Sequence, residues 1–385
     1  MIDITFIVCV AMAAGCAVLF MIQLAYIFGL YNRVYRKQRR EVASDIQTPL
    51  PPLSVIVVTK DSGEALNRNL PRILEQDYPQ FEVIVVNDKS AGEDEDILKR
   101  LSEKYPNLYH TFIPETARYV SRKKLGIAMG IRASKFEWAV TTEPYCYPEN
   151  PNWLKSLAKE MKPGTDIVLG YSNYEKSRGW FARKITTDTF FHTLRFLCMA
   201  LAGKPYMGLG RNLAYRKSLF LSHNVFAEHL QLKRGEDDLF VNATATSANT
   251  RVATSADSIV RMPVPAFRHI WHDDKMSLMA TSRYYRGTAC LWNTIEAGSN
   301  ALFHLLCIST IVLSATNGQW MTLGVAALLW MVRLVCQTIV LYRAASAFHE
   351  KIGGMLPFLD GLRAWWNIAN RTSYLFSEKS DFFRK

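Results

Sequence analysis

Paired cysteines are absent from this sequence. Its 385 residues include seven cysteines, and none of them forms a CxxC pair. Four of the seven lie within long apolar runs, at Cys9, Cys16, Cys307 and Cys336. A disulfide-stabilised scaffold and a cysteine zinc site are therefore not indicated, and the composition is compatible with a reducing cytosol.

The sequence also lacks the glycine-rich turns that bind phosphate in two large enzyme classes. The first run that predicts a buried strand, LSVIVVT at Leu53–Thr59, leads into TKDSGEA, which is neither GxGxxG nor a P-loop. Dinucleotide dehydrogenases and P-loop enzymes are thereby disfavoured. The net charge is +12, yet no nucleic-acid-binding module is recognisable, so we expect no nucleic-acid partner.

Long apolar runs, in contrast, are present at both ends. Residues 5–30 are almost unbroken apolar sequence, long enough at ~1.5 Å per residue to cross a hydrocarbon core of about 30 Å. The basic stretch YNRVYRKQRR follows, whereas MIDIT at the start contains only an acidic charge. We predict an uncleaved transmembrane anchor at 4–30 with the N-terminus outside. The basic juxtamembrane linker predicted at 31–50 suits anionic lipid headgroups.

Two more apolar runs, 301–315 and 321–342, are separated by the uncharged TNGQW. They predict a C-terminal transmembrane hairpin at 297–343, although a pair of buried core helices would have the same composition. Residues 351–376 place two adjacent tryptophans among charged residues, which predicts an amphipathic helix in the membrane interface. The chain is thus predicted to be a multi-pass protein of the inner (plasma) membrane with a cytosolic central domain.

That central domain, predicted at 51–290, alternates short β-branched runs with amphipathic runs. The alternation predicts a doubly wound α/β fold with a mostly parallel central sheet. Ligands of such domains bind beyond the carboxyl ends of the strands. Three acids fall at these ends, Asp61, Asp88 and Glu143, and they are the first candidates for a binding site.

The stretches around these acids resemble glycosyltransferase family 2, enzymes of GT-A fold that use nucleotide-diphosphate sugars. The resemblance starts with PPLSVIVVTKDSGEALNRNLPRILEQDYPQFEVIVVNDKS and continues in GKPYMGLGRNLAYRKSLF and GEDDLFVN. The apolar ends resemble a membrane-anchored bacterial branch of the family. The resemblance implies a Rossmann-like GT-A catalytic domain with flanking transmembrane helices.

The resemblance implies roles for several residues at the donor end. Asp88 would accept the imide proton of uracil, although NDKS also suits the capping of the next helix. Asp61 would flank the same nucleotide, and Lys124, or its neighbour Lys123, would contact the diphosphate. Together with Glu143 these residues form the predicted donor-binding set.

GEDDLFVN supplies the predicted catalytic residues. Inverting transfer needs a base that removes a proton from the acceptor hydroxyl as its oxygen attacks the anomeric carbon. The resemblance implies that the base belongs to the pair Glu236 and Asp237; we favour Asp237, with Asp238 as the alternative. Adjacent carboxylates repel, so one can be protonated while its neighbour stays anionic. A helix N-terminus, whose dipole favours acids, would have the same sequence.

TTEPYCYPEN departs from the family pattern. The family has Asp-x-Asp here, which binds a divalent cation, Mg²⁺ or Mn²⁺, that bridges the diphosphate oxygens. This chain has Glu143 and Tyr145 instead, and a neutral phenol is a poor ligand for Mg²⁺. A cation is therefore an uncertain prediction, with Glu143 as one ligand and His272, in HIWHDD, as a compensating one.

A second departure follows downstream. The family's Gln-x-x-Arg, which helps to hold the acceptor and the diphosphate, corresponds here to Asp274 and Ser277. The predicted acceptor-binding residues come from GKPYMGLGRNLAYRKS: Gly210 allows close approach, and Arg211 and Asn212 face an acceptor or a phosphate, unless the segment is only a turn before a strand.

The leading interpretation is a membrane-anchored inverting glycosyltransferase of polysaccharide and cell-envelope synthesis. It would move a sugar from a nucleotide-diphosphate sugar to a lipid-linked or polysaccharide acceptor at the cytosolic membrane face. The alternative is a catalytically silent relative that binds a nucleotide sugar or a partner as a membrane scaffold. Asp88 and Asp237 favour the enzyme, whereas Tyr145 and Ser277 favour the silent protein.

Overall fold

The computed structural model of the chain describes residues 4–41, 50–88, 93–114, 121–223, 229, 232, 234–351 and 356–376. Its strands are β1 (Leu53–Thr59), β2 (Phe81–Asn87), β3 (Leu108–Phe112), β4 (Trp138–Thr142), β5 (Tyr147–Pro148), β6 (Ile167–Leu169), β7 (Ser172–Tyr174), β8 (Leu213–Arg216), β9 (Thr250–Val252) and β10 (Val260–Met262).

The helices before the last crossing segments are α1 (Ile4–Tyr26), α2 (Arg33–Glu41), α3 (Gly63–Leu74), α4 (Glu93–Lys104), α5 (Arg122–Ala133), α6 (Trp153–Ala158), α7 (Trp180–Leu201), α8 (Lys217–Ser222), α9 (Asp238–Thr244) and α10 (Arg268–Ser282). They are followed by α11 (Ala289–Thr316), α12 (Trp320–Ala347) and α13 (Leu356–Phe376). A π-helical turn joins α1 to α2, and a short 3₁₀ turn lies between β9 and β10.

A seven-stranded sheet in the order β3-β2-β1-β4-β8-β6-β9 forms the centre of the domain. Every neighbouring pair in it is parallel except β4 with β8 and β6 with β8. The central strands are rich in valine and isoleucine and are buried, because helices cover both faces of a parallel sheet. The predicted α/β fold with a mostly parallel sheet is confirmed. A smaller sheet, β5-β10-β7, lies beside it.

Glycines allow α5 to lie close against this sheet. A Cβ atom at Gly130 would be 2.6 Å from a methyl of Ile56, and one at Gly126 would be 2.8 Å from a methyl of Val58. Larger residues at these positions would push the helix away from β1. The close contact fixes the start of α5 at the carboxyl edge of the sheet. Lys123 lies in the first turn of this helix.

Asn212, predicted as an acceptor-binding residue, lies instead in the core. Its side chain is 1% exposed. Its amide oxygen accepts a hydrogen bond from Trp153 Nε1 at 3.0 Å, and its amide nitrogen donates to Tyr171 O at 2.8 Å and Ser258 O at 2.7 Å. The sequence prediction is corrected at this position, because a side chain used for these contacts does not face an acceptor.

Within the described part of the chain, three helical segments are long and apolar enough to cross a membrane: the continuous helix from α1 to α2, α11 and α12. α1, α11 and α12 pack against one another. α11 and α12 cover the predicted hairpin at 297–343 and extend beyond it at both ends. α13 covers most of the predicted segment 351–376, of which residues 352–355 lie outside the described part.

The basic segment predicted as a linker at 31–50 is partly the helix α2, and residues 42–49 lie outside the described part. Lys37 Nζ is 2.8 Å from Glu160 of the α/β domain. Arg33 donates to Leu201 O at 3.1 Å, and Gln38 donates to Ala347 O at 3.0 Å. These contacts attach the apolar bundle to the α/β domain.

We predict that Asn212→Ala lowers the free energy of unfolding by about 2–4 kcal/mol, because it removes three hydrogen bonds of the core, one from an indole N–H and two to backbone carbonyls. Thermal or guanidinium unfolding of the detergent-solubilised chain measures the change. Gln80→Ala, which removes an exposed side chain with the same amide group, is the matched control. Equal unfolding curves for the two variants would contradict this role of Asn212.

Candidate functional site

Three of the predicted acids meet at the carboxyl edge of the seven-stranded sheet. Glu143 follows β4, and Glu236 and Asp237 precede α9. All three line two adjoining cavities of about 20 and 40 Å³. Pockets for small ligands usually measure about 300–1,000 Å³, so both cavities are smaller than such a pocket.

Lys123 joins two of these acids. Its Nζ lies 2.5 Å from Glu143 Oε1 and 2.7 Å from Glu236 Oε1. Burial opposes the charged form, but the carboxylates of Glu143 and Glu236 raise the pKa of Lys123 well above its ordinary value. Burial also opposes the charge of Glu236, and Lys123 lowers the pKa of that carboxyl. The site thus holds a permanently charged ammonium group between two carboxylates.

Asp237 lines both cavities and is partly exposed, as Glu143 is. Its Oδ2 accepts a hydrogen bond from Gly210 N at 2.6 Å, and its Oδ1 accepts one from Asp238 N at 2.8 Å. Burial, followed by the charge of Glu236, raises the pKa of Asp237 above the ordinary value. The two backbone donors orient the carboxylate, and the raised pKa makes it a stronger base.

Gly210, predicted on the acceptor side, provides a close backbone contact to this carboxylate. A Cβ atom at this position would be 3.2 Å from Asp237 Oδ2. The absence of a side chain therefore keeps the approach to Asp237 open.

Asp238, the alternative base, is 1% exposed and joins α9 to the end of α10. It accepts hydrogen bonds from Thr281 Oγ1 and from the Tyr285 hydroxyl, the latter at 2.7 Å. Burial and the neighbouring Asp237 raise the pKa of Asp238 to about 7. These contacts favour a positioning role for Asp238 and leave Asp237 as the accessible carboxylate.

Asp274 holds two arginines in the larger cavity. Arg211 Nη2 is 2.5 Å from Asp274 Oδ2, and Arg234 Nη1 is paired with Asp274 Oδ1. Burial opposes the charge, but Arg211 and Arg234 together lower the pKa of Asp274 below its ordinary range. The sequence indicated Asp274 as a lost motif position and as one of the HIWHDD groups that could ligate a metal, and it indicated Arg211 as an acceptor-binding residue. Arg234 was missed, because it is distant from both in the chain and belongs to no motif.

Lys124, predicted to contact a diphosphate, points elsewhere. Its side chain is fully buried, and its Nζ donates to His229 O at 2.7 Å and to Leu232 O at 3.0 Å. Burial lowers the pKa of Lys124. The prediction is corrected in favour of Lys123, because adjacent residues of a helix point in directions about 100° apart.

The residues predicted to bind the nucleoside, Asp88 and Asp61, follow β2 and β1, whereas Glu143 follows β4. Asp88 follows β2 and pairs with Arg122 of α5. Strands are about 4.8 Å apart, so Asp88 lies roughly 10 Å from the end of β4 along the same edge. Asp61 lies beyond β1 with a φ of 46°, a strained backbone for a non-glycine residue. The adjacent Ser62 N donates to Asp94 Oδ1 at 3.1 Å, which anchors this turn.

His272 lines a separate cavity of about 360 Å³, with aromatic and basic neighbours such as Trp180 and Lys184. The structure gives His272 no part in a site with Glu143. Within the described residues, no group of three or more His, Cys, Asp or Glu side chains could hold a metal ion.

The residues at the family's cation position do not fit a divalent cation. Glu143 is paired with Lys123, and burial raises the pKa of Tyr145, so its side chain stays a neutral phenol. Glu236 Oε2 is buried without a hydrogen-bond partner among the described residues. Lys123 Nζ is bound to Oε1 of both Glu143 and Glu236, so a divalent cation with the close oxygen shell that Mg²⁺ requires would have to displace this ammonium group.

Comparison with known proteins finds a family match for part of the chain. Residues 54–221 match the model of glycosyl transferase family 2, whereas no curated protein matches the sequence significantly. The structure of the mannosyltransferase PcManGT from Pyrobaculum calidifontis, in complex with GDP-Man and Mn²⁺, is 16% identical and covers 94% of this chain and 100% of its own, with a TM-score of 0.55. S. aureus TarS 1-349 with UDP-GlcNAc is 18% identical, covering 87% and 93%, with a TM-score of 0.41.

The PcManGT likeness shows the fold alone, and that fold is GT-A. The matched region, residues 54–221, is similar to glycosyl transferase family 2, and the chain has a GT-A fold.

Proposed function

We propose that this protein is a membrane-anchored inverting glycosyltransferase that moves a sugar from a nucleotide-diphosphate sugar to a lipid-linked acceptor or a polysaccharide at the cytosolic membrane face. The observation that supports it best is Asp237, a partly exposed carboxylate of raised pKa that shares one cleft with Glu143 and Lys123. A general base of raised pKa works closer to neutral pH.

The proposed reaction is a single displacement. The carboxylate of Asp237 accepts the proton of the acceptor hydroxyl while the hydroxyl oxygen forms a bond to the anomeric carbon. The bond from that carbon to the diphosphate oxygen breaks, and its electron pair leaves with the nucleoside diphosphate. Attack from the opposite face inverts the configuration. The hydrogen bonds from Gly210 N and Asp238 N keep Asp237 directed at the cleft.

The edge of the sheet offers a place for each part of the donor. Asp88 lies where a nucleobase would be, and Glu143 and Lys123 lie where the diphosphate would be. A nucleotide extended along the carboxyl edge crosses the strand between them, as ligands of doubly wound folds do. This arrangement supports nucleotide-sugar binding.

The cavity lined by Trp180, Lys184 and Trp271 supports an acceptor that arrives from the membrane. Its volume is about 360 Å³, and its walls are aromatic and basic, which suits an amphiphile with a negative headgroup. Trp271 lies on the same helix face as Asp274, which lines the reaction cavity, because residues three apart on a helix are neighbours. The two cavities thus share one wall, α10.

We predict that Asp237→Asn reduces kcat for sugar transfer or donor hydrolysis by about 10²–10⁴-fold, because the amide cannot accept the acceptor proton. Affinity for UDP or GDP should stay within about threefold, since the shape of the side chain is kept. Product formation and calorimetric titration of the detergent-solubilised chain measure the two effects.

Asp273→Asn is the matched control for that variant, since it neutralises an exposed carboxylate of α10 outside the two reaction cavities. Its kcat should equal that of the parent. If parent, Asp237→Asn and Asp273→Asn all show the same absence of turnover with every nucleotide sugar tested, the catalytically silent alternative is correct.

The raised pKa of Asp237 predicts the acid side of the pH profile. The base acts as a carboxylate, so kcat/KM should fall as the pH falls through its pKa. The midpoint should lie above about 3.9, the ordinary value for aspartate. Initial rates measured from about pH 4 to pH 9 provide the test. An acid limb at the ordinary value would assign the base to another group.

The proposed topology predicts which turns are outside the cell. Alkaline phosphatase inserted in the turn at 317–318, between α11 and α12, should be active because that turn would lie outside the membrane. The same enzyme fused to the C-terminus should be inactive, whereas a fluorescent protein fused there should fold. Inactive phosphatase at both positions would indicate buried core helices instead of a membrane hairpin.

A further inference from the structure

We propose that this site transfers its sugar without a divalent cation, with Lys123, Arg211 and Arg234 neutralising the departing diphosphate. The inference rests on the proposed function and concerns the same cleft. Its support comes from the position of one ammonium group, from the two arginines that line the same cavity, and from the phenol of Tyr145 at the family's cation position.

The ammonium group of Lys123 already occupies the position between the two carboxylates. Its Nζ lies 2.5 Å from Glu143 and 2.7 Å from Glu236. A divalent cation bound by the same two carboxylates would need Mg²⁺ to oxygen distances of about 2.0–2.1 Å and would have to displace this group. The chain thus provides its own cation at the point where the family's motif would provide ligands for a metal.

Basic side chains already lie among the carboxylates of the site. Five carboxylates line the two reaction cavities, namely Glu143, Glu236, Asp237, Asp238 and Asp274. Three basic side chains line the same cavities, namely Lys123, Arg211 and Arg234. An aspartate in place of Tyr145 would add a negative charge and favour a divalent cation. The phenol removes that charge.

Arg211 and Arg234 are the groups that can turn to the diphosphate. Both line the reaction cavity of about 40 Å³, and both are bound to a single carboxylate, Asp274. Guanidinium groups bind phosphate oxygens through two parallel hydrogen bonds, and they stay charged in proteins. Asp274 occupies a position of the family's Gln-x-x-Arg motif. Here it holds arginines that come from two other parts of the chain.

Departure of the nucleoside diphosphate requires nearby positive charge but no proton donor. As the bond from the anomeric carbon to the diphosphate oxygen breaks, the electron pair stays on that oxygen. Preorganised cations at this point stabilise the developing negative charge. Lys123 lies within ion-pair distance of the carboxylates of Glu143 and Glu236, which favour its charged form.

The first test compares metal-free and metal-loaded protein. The purified full chain in detergent is assayed for donor hydrolysis and for UDP and GDP binding, in EDTA and in Mn²⁺ or Mg²⁺. Turnover and both affinities should agree within about threefold across these conditions. A drop of tenfold or more in EDTA, restored by Mn²⁺, would overturn the inference. Binding that is equal with and without Mn²⁺, without any turnover, would support the cation-free site while contradicting the proposed transferase.

The second test uses variants of the cation position. Lys123→Met should weaken UDP and GDP binding in EDTA by about tenfold or more, and Mn²⁺ should recover part of the loss, since Glu143 and Glu236 are then open to a metal. Lys162→Met removes an exposed lysine and is the control. Lys123→Arg keeps the charge and should keep binding independent of Mn²⁺.

Binding of Mn²⁺ to the protein is a further measurement. A purely structural role of Lys123 would not change it. Free Mn²⁺ measured by its paramagnetic resonance should be unaffected by the parent protein and reduced by Lys123→Met or Tyr145→Asp. Saturable Mn²⁺ binding to the parent at micromolar concentration would contradict the inference. So would a Lys123→Met protein that binds UDP and GDP in EDTA as the parent does.

Discussion

The ion pairs of Lys123 with Glu143 and Glu236 hold the candidate site together. They connect the start of α5, the end of β4 and the segment before α9, three places far apart in the chain. Both carboxylates are largely buried, and a buried carboxylate without a partner is strongly unfavourable. The position of Asp237, next to Glu236, therefore depends on a lysine that contributes no motif of its own.

The scaffold around this interaction fixes its geometry. Gly126 and Gly130 let α5 lie against β1, so the first turn of the helix reaches the carboxyl edge of the sheet. Asn212 joins β8 to its surroundings from inside the core. The basic helix α2, attached to the domain through Lys37, sets the orientation of the domain relative to the apolar bundle. The cleft therefore has a defined place relative to the apolar helices.

The two departures from the family pattern have one physical interpretation when they are taken together. At the cation motif a carboxylate is replaced by the phenol of Tyr145, and downstream an acidic residue, Asp274, gathers Arg211 and Arg234 at the cavity. One change removes a negative charge, and the other assembles positive groups. Asp274, Arg211 and Arg234 line the same cavity as the proposed base, Asp237.

The sequence by itself determined the α/β alternation, the apolar helices and the acids at the strand ends, because strand and helix periods and apolar length are local properties. It also identified Asp237 beside its acidic neighbours. Only the tertiary structure decided that Lys123 faces the cleft while Lys124 binds carbonyls, and that Asn212 lies in the core. The direction of a side chain is decided by packing against residues distant in the chain, and no local pattern contains that information.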